Sequence, residues 1–263
     1  MVTVKEIYQY IDRLAPFGLQ MDFDNAGFLV GRKDAEVKKI LVSLDITQEV
    51  IQEAQERGAQ LIVAHHPVIF HPAPSITDET VIGRVLLALV ESGIAAICAH
   101  TNLDAVEGGV NDALARALGL TEIDQLCPDG VDYQGRPYGI GRVGTVNEQS
   151  PAQFAALVKR NLGAGGLRYV DAGKPIRRVA VGGGACAGMV KDALAQGCDA
   201  FVTSDVKYND FLDAKAQGLT LIDAGHYSTE NVVCPVLVEW LKKGFSKVEV
   251  LMSRDHREVF SYL

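Results

Sequence analysis

Residues 40–66 have the sequence ILVSLDITQEVIQEAQERGAQLIVAHH, in which two apolar runs flank a polar segment with helical character. The flanking runs are short and rich in branched residues, as expected of buried strands. Between them we expect a helix over about 47–57, with Thr47 as its N-cap and Gly58 just past its end. Strands that alternate with helices of this length are typical of an α/β protein with parallel strands.

The same order of elements recurs at residues 179–205, VAVGGGACAGMVKDALAQGCDAFVTSD, which align with residues 40–66 without a gap. Apolar residues align with apolar residues, and Gly58 aligns with Gly197. One interpretation is that all strand–helix–strand units resemble each other. We favour the other, an internal duplication.

A duplication predicts an α/β fold of two similar βαβ-type lobes, with mostly parallel sheets packed face to face. We expect the first lobe at residues 1–125, with the strand segment 245–263 packing nearby, and the second at residues 126–263. Further helices are expected near residues 4–15, 79–91, 108–118 and 151–161.

Adjacent histidines follow the second strand, in Ala64-His65-His66-Pro67-Val68-Ile69-Phe70. Neighbouring residues on a strand point to opposite faces, so one histidine could belong to the core and the other to the surface. Alternatively, both rings turn towards one ligand. The strand is expected to end at Ala64, and Pro67 favours an extended His66, so both rings could leave the alternation of the strand.

Two other strand ends carry a His-x-x-x-acid pattern, His100 to Asp104 in AHTNLDA and His226 to Glu230 in DAGHYSTE. In open parallel sheets, ligands bind beyond the carboxyl ends of the strands. Asp104 could instead cap the following helix, and we expect His100 to orient Asp104 rather than to bind a ligand. The candidate metal ligands are therefore His65, His66, Asp104, His226 and Glu230.

This donor set predicts the kind of ion. Imidazole and carboxylate groups together suit zinc, iron, manganese or nickel. Three histidines and two carboxylates exceed the needs of one tetrahedral ion that keeps a water, so we expect two divalent metal ions per chain. The isolated His71 and His256 are expected in the core or at the surface.

Other motifs are less specific. The glycines of residues 182–188, GGGACAG, could cradle a phosphate or allow close approach of the backbone to the metal site. Cys186 could be a nucleophile, but no base is assignable to it. We expect Ser204 and Asp205 to line the site. The residues that could contact an anionic substrate, with solvated surface as the alternative, are Arg136, Arg142, Lys207 and Tyr208.

The composition limits the range of functions. The net charge of −8 disfavours binding of a nucleic-acid polymer, which requires a basic face. Five dispersed cysteines form no C-x-x-C pair, and no apolar run is long enough to cross a membrane. The N-terminal residues lack the apolar core of a signal peptide. We expect a cytoplasmic protein with no membrane partner.

The family resemblance rests on four ordered motifs, AHHPVIF, AHTNLDA, VTSDVKYND and DAGHYSTE, and on DNAGFLVG near the N-terminus. Together they resemble the Nif-like (Ngg-interacting-factor-like) proteins, known as GTP cyclohydrolase I type 2 homologs, along essentially the whole chain. The resemblance implies the Nif-like fold, a toroidal homohexamer, and a dinuclear metal centre with the five ligands named above.

The resemblance also implies a function, a metal-dependent hydrolase that opens a ring of GTP or of a related nucleotide or heterocycle. Glu230 and His100 are then the expected catalytic residues that move protons. The alternative is a non-enzymatic module that stores, delivers or senses metal. A DNA-interacting factor, suggested by the historical name of the family, fits the acidic charge poorly.

Overall fold

The computed structural model describes residues 1–263. The first part of the chain alternates short strands with helices, as the sequence predicts. Its elements are α1 (Val4–Leu14), β1 (Gly27–Val30), β2 (Lys39–Ser43), α2 (Gln48–Glu56), β3 (Leu61–Ala64), α3 (Val81–Ser92), β4 (Ala95–Cys98), α4 (Thr101–Ala105) and α5 (Val110–Ala117). The expected cap of α2 is present, since Oγ1 of Thr47 accepts from the amide of Val50 at 3.3 Å.

The rest of the chain contains two long strands followed by a second alternating series. Its elements are β5 (Thr121–Val131), β6 (Pro137–Gln149), α6 (Pro151–Leu162), β7 (Arg168–Val170), β8 (Ile176–Val181), α7 (Val190–Ala195), β9 (Ala200–Thr203), α8 (Tyr208–Ala216), β10 (Thr220–Asp223), α9 (His226–Glu230), α10 (Val233–Gly244) and β11 (Glu249–Met252). Two short 3-10 turns complete the set, Phe17–Leu19 and Ala187–Met189. None of the helices has the length and apolar character that a membrane span requires.

The chain divides into two compact units. The first unit comprises Met1–Leu103 and Val233–Arg257, and the second comprises Asp104–Val232 and Glu258–Leu263. These bounds differ from the lobes expected at 1–125 and 126–263. The division falls within α4, and the return of the chain to the first unit begins with α10, upstream of the expected segment 245–263.

The first unit contains a five-stranded sheet in the order β1-β4-β3-β2-β11. Its strands are parallel except for β1, which pairs antiparallel with β4. The C-terminal segment belongs to this unit because β11 extends the sheet, with Val250 opposite Ile40 of β2. Helices α2 and α3 bury Val50, Leu86 and Leu89 in a core shared with β2, β3 and β4.

The second unit contains a six-stranded sheet in the order β5-β6-β8-β9-β10-β7. The central strands β8, β9 and β10 are parallel, and the flanking strands pair antiparallel. Over both sheets, five of the nine strand pairings are parallel. The α/β class, with mostly parallel strands when the two sheets are taken together, is therefore confirmed.

The β2–α2–β3 and β8–α7–β9 segments have the same strand register. Ile40 lies opposite Leu61 in the first unit, and Val179 lies opposite Ala200 in the second, which are the positions equated by the gapless alignment. A side-chain clamp is repeated as well. The amide of Lys39 donates to Oε1 of Gln60 at 3.0 Å, and the equivalent amide of Arg178 donates to Oδ2 of Asp199 at 2.8 Å. The two segments therefore share both the strand register and this clamp.

Candidate metal centre

The histidine pair sits where β3 ends. The amides of His65 and His66 both donate to the carbonyl of Leu44, at 3.1 and 2.9 Å, so the chain turns instead of continuing as a strand. The two ring centroids lie 5.0 Å apart, as expected if both rings leave the alternation of the strand. Nδ1 of the buried His65 lies 2.8 Å from the carbonyl oxygen of Ala99.

His66 is oriented by Asp45, which follows β2. The distance from Nδ1 of His66 to Oδ1 of Asp45 is 2.7 Å. Asp45 is not among the residues predicted from the sequence, although a signal existed: β2 and β3 are parallel neighbours, so residues that follow them meet at one edge of the sheet.

His100 follows β4 and contacts a carboxylate that the sequence analysis also did not identify. Nδ1 of His100 lies 2.8 Å from Oδ1 of Asp24, whose other oxygen accepts from the amide of Thr101 at 3.0 Å. Burial raises the pKa of the Asp24 carboxyl, but the hydrogen bonds from His100 and Thr101 outweigh it and hold this pKa at about 2. Asp24 is therefore ionised at neutral pH and can only accept hydrogen bonds.

The first unit thus presents a cluster of three histidines. One ring nitrogen from each of His65, His66 and His100 lies within 4.8 Å of the others, close enough for a shared metal ion. The ring of His100 is 5.1 Å from that of His65 and 5.5 Å from that of His66, measured between centroids. The structure therefore places His100 among candidate ligands, beyond the orienting role expected from the sequence.

In the second unit, α9 carries the predicted pair His226 and Glu230. These residues are the first and last of the helix, so one helical turn brings Nε2 of His226 within 3.0 Å of Oε2 of Glu230. On the other side of the ring, Nδ1 lies 2.6 Å from Oδ2 of Asp205. Two ligands about 2.1 Å from one ion, at a right angle, would be about 3 Å apart, so the His226–Glu230 pair fits a shared ion.

Asp104 lies near Glu230 in the same unit. Carboxylate oxygens of the two residues are within 4.8 Å of each other, and both side chains are buried. The alternative of Asp104 as a helix cap is wrong, because α5 has Gly109 as its N-cap and no side-chain cap. The side-chain Nδ2 of Asn111 instead donates to the Asp104 carbonyl at 2.9 Å, which ties this segment to α5.

The four histidines share one arrangement. Nδ1 of each lies beside an oxygen acceptor, a backbone carbonyl for His65 and a carboxylate for His66, His100 and His226. A carbonyl or an ionised carboxylate only accepts, so we assign the proton to Nδ1 and the lone pair for an ion to Nε2. Metal-binding histidines are commonly oriented in this way.

The His-x-x-x-acid patterns are not equivalent in position. The amide of Ala99 donates to Ala64 and the equivalent amide of Ala224 donates to Thr203, both at 2.9 Å. His100 therefore corresponds to Gly225, and His226 begins its helix one residue later. The two patterns look equivalent in sequence, but the second histidine lies one residue further from its strand than the first.

The glycine-rich loop at 182–188 allows its backbone to lie close to the carboxylate of Glu230. The amide of Gly183 donates to Oδ1 of Asn111 at 2.9 Å, and that of Gly184 donates to Oγ1 of Thr229 at 3.0 Å, so neither points to a phosphate. Gly184 has φ +67°, and a side chain there would meet the carboxylate of Glu230.

Cys186 and Arg142 do not have the reactivity or the free charge that a role at the site would require. Burial raises the pKa of the Cys186 thiol, and the carboxylates of Asp104 and Glu230 raise it further, which disfavours a nucleophilic thiolate. Arg142, a candidate anion contact, is buried and pairs with Asp112 at 2.8 Å.

Arg136 likewise pairs with Asp132 at 2.7 Å. Of the remaining candidates for an anionic substrate, Lys207 and Tyr208 are exposed where α8 begins, as expected of solvated surface. The structure therefore gives the two arginines intramolecular partners instead of a role in binding an anion.

Comparisons with known proteins agree with this fold. The chain is 35% identical over 265 residues to the GTP cyclohydrolase 1 type 2 homolog of Clostridium perfringens, with 100% of both chains covered. It is 35% identical over 244 residues to the GTP cyclohydrolase 1 type 2 of Helicobacter pylori, with 92% of each covered.

A solved structure and a family model extend the comparison. The structure of the Bacillus cereus protein related to NIF3 matches with a TM-score of 0.93 at 25% identity, covering 100% of this chain and 99% of that one. The model of the Duf34/NIF3 (NGG1p interacting factor 3) family matches residues 2–258. The chain belongs to the Duf34/NIF3 family.

Proposed function

We propose that the protein binds two divalent metal ions per chain and is a metal-dependent hydrolase of GTP or of a related nucleotide or heterocycle. The observation that carries the proposal is the shared arrangement of the histidines, whose Nδ1 atoms are held by acceptors so that Nε2 is the donor atom. The proposed ligands are His65, His66, Asp104, His226 and Glu230.

A divalent ion held by these groups would supply a Lewis acid that polarises water and the scissile C–N bond of a cyclic amidine. The residues of the chain then have distinct tasks. Glu230 accepts a proton at its carboxylate, whose Oε2 lies on the side of the His226 ring that carries the lone pair, 3.0 Å from Nε2. His100 takes up a proton at Nε2, which bears the free lone pair because Nδ1 donates to Asp24.

The substrate class is supported by the names of the relatives. Proteins 35% identical to this chain are named GTP cyclohydrolase 1 type 2 or a homolog of it. A purine nucleotide contains the ring that such an activity would open, and its phosphates would carry the negative charge. The acidic net charge of −8 implies that any favourable contact with phosphates is local.

The proposed activity can be tested by formate release from GTP. Metal-free protein is reloaded separately with zinc, manganese, iron or nickel, and formate is measured against the Glu230→Gln variant. We expect release with at least one metal and a loss of at least 100-fold in the variant, which lacks an ionisable acceptor at this position. No release with any metal, or equal release by the variant, would contradict the hydrolase.

A second function, metal storage, delivery or sensing without catalysis, is favoured by one observation. The two arginines predicted as candidates for contact with an anionic substrate, Arg136 and Arg142, pair with Asp132 and Asp112 instead. The formate assay separates the two functions, because the second predicts metal binding without turnover.

We also propose that the protein assembles as a homohexamer, as the family resemblance implies. The measurement is light scattering coupled to size-exclusion chromatography. Six chains of 28.3 kDa are expected in the main peak, whereas a monomer or dimer would contradict the assembly.

A further inference from the structure

The segment that follows β11 is held by a buried carboxylate of α2. Glu53 is 4% exposed and accepts a hydrogen bond from Oγ of Ser253. It also accepts from the amides of Arg254 at 3.1 Å and Asp255 at 3.3 Å. The amide of His256 then donates to Oγ of Ser253 at 3.2 Å. The turn at residues 253–256 is therefore fixed to α2 within the first unit.

This turn brings His256 to the carboxylate that orients His66. Nε2 of His256 lies 2.8 Å from Oδ2 of Asp45, and the other oxygen of Asp45 lies 2.7 Å from Nδ1 of His66. The side chain of His256 is 8% exposed, whereas that of Asp45 is 42% exposed. An ionised carboxylate only accepts, so both rings donate to Asp45 and His66 carries its proton at Nδ1.

We infer that His256 is a positioning residue of the metal centre, which acts through Asp45 to present Nε2 of His66 to an ion. The inference rests on the proposed metal binding. A half-exposed carboxylate can rotate into solvent, and the bond from a buried imidazole removes this freedom. The partners behind metal-binding histidines commonly change metal affinity by 10–100-fold when they are lost.

A second histidine of this unit, His100, is also held by a carboxylate that has an anchor of its own. Asp24 holds His100 with one oxygen, while the amide and hydroxyl of Thr101 hold the other at 3.0 and 2.5 Å. In the first unit, both carboxylates behind candidate ligands thus have a second anchor, Thr101 for Asp24 and His256 for Asp45. Without His256, Asp45 would lose the hydrogen bond that plays the part of Thr101 at Asp24.

The test combines two measurements on His256→Phe, His256→Gln and Asp45→Asn. The first is the tautomer of His66 in metal-free protein, from ¹⁵N chemical shifts of its ring. The second is zinc affinity, from competition with a chelator. His71→Gln, at an exposed histidine, is the matched control.

In H256F we expect a smaller population of the Nδ1-protonated tautomer of His66 and a zinc dissociation constant at least about 10-fold higher. H256Q should recover part of both, because its amide can donate to Asp45, and H71Q should match the wild type. The double variant of H256F and D45N should lose no more affinity than D45N alone.

Unchanged shifts and unchanged affinity in H256F would overturn the inference. If far-UV circular dichroism shows that H256F does not fold, H256Q carries the test, because its neutral amide should still leave zinc affinity and the Nδ1-protonated population of His66 below the wild type, and wild-type values for both would overturn the inference. A wild type that binds no zinc would contradict the proposed function, and the tautomer of His66 would still decide the role of His256.

Discussion

Oδ1 of Asp24 lies 2.8 Å from Nδ1 of His100, and the carboxylate is shielded from solvent. The two residues are far apart in sequence, and the antiparallel pairing of β1 with β4 brings them together. The pair links the start of an edge strand to the end of its neighbour, so a change at Asp24 alters both the stability of the first unit and the orientation of His100.

The first prediction concerns the pH dependence of this pair. The pKa of Asp24 falls from 3.8 in the unfolded chain to about 2 in the folded protein. Ionised Asp24 therefore stabilises the folded protein fully at pH values above 3.8, and this stabilisation is lost as the pH falls towards 2. This contribution is roughly 2 kcal/mol at neutral pH and falls to about half by pH 3. The free energies of unfolding of wild type and Asp24→Asn, measured by urea titration in chelator, should therefore converge as the pH falls from 6 to 3.

The control is Asp22→Asn, at an exposed neighbouring carboxylate. It should stay within about 0.5 kcal/mol of the wild type throughout. A gap between wild type and Asp24→Asn that does not change with pH would be inconsistent with the lowered pKa.

The second prediction tests the close approach at Gly184. Its φ of +67° and the nearby carboxylate of Glu230 leave no place for a side chain. Gly184→Ala should therefore displace Glu230 and weaken metal binding at least 10-fold by calorimetry. Gly188→Ala in the same loop has open space and should bind as the wild type does. Equal affinities of the two variants would show that Glu230 does not need this glycine.

The third prediction concerns Asp205, which has φ +53° and orients His226. Asn tolerates the left-handed region, so Asp205→Asn should fold normally while its weaker, neutral acceptor holds Nδ1 less firmly. We expect metal affinity to fall by about 10–100-fold. Asp213→Asn, at an exposed position on α8, is the control. If both variants retain full affinity, Asp205 has no part in orienting His226.

The fourth prediction tests the buried pair of Arg142 and Asp112. Arg142→Met removes the close partner of the buried Asp112 carboxylate and leaves only the exposed Arg116, at 3.9 Å, which should cost about 3–5 kcal/mol in the free energy of unfolding. The double variant Arg142→Met/Asp112→Asn should recover part of this loss, because it removes the buried charge. Urea unfolding of both variants provides the measurement. A loss below about 1 kcal/mol in the single variant would argue for a surface role of Arg142.

Much of the fold could be predicted from local pattern. The strand–helix–strand segments were predictable because apolar runs, caps and glycines agree at both copies, and Gly58 and Gly197 both adopt positive φ. The flanking antiparallel strands were harder. β5 contains Pro128 and Gly130, which normally argue against a strand, and the three-residue β7 is too short to show a pattern.

The candidate ligands were predictable because they follow strands at their carboxyl ends, where parallel sheets bind ligands. Their partners were not all accessible in this way. Asp45 follows the same rule and could have been found. Asp24 lies before an antiparallel edge strand, and His256 is brought in by a turn after β11, so both depend on tertiary contacts that no local pattern encodes.

The most direct test of the central claim is the metal content of the protein. Purified wild type is stripped of metal, reloaded with excess zinc, manganese, iron or nickel, desalted, and measured by inductively coupled plasma mass spectrometry beside Glu230→Gln. We expect two divalent ions per chain for at least one metal, and fewer in the variant. Less than about 0.2 ions per wild-type chain with every metal would contradict it.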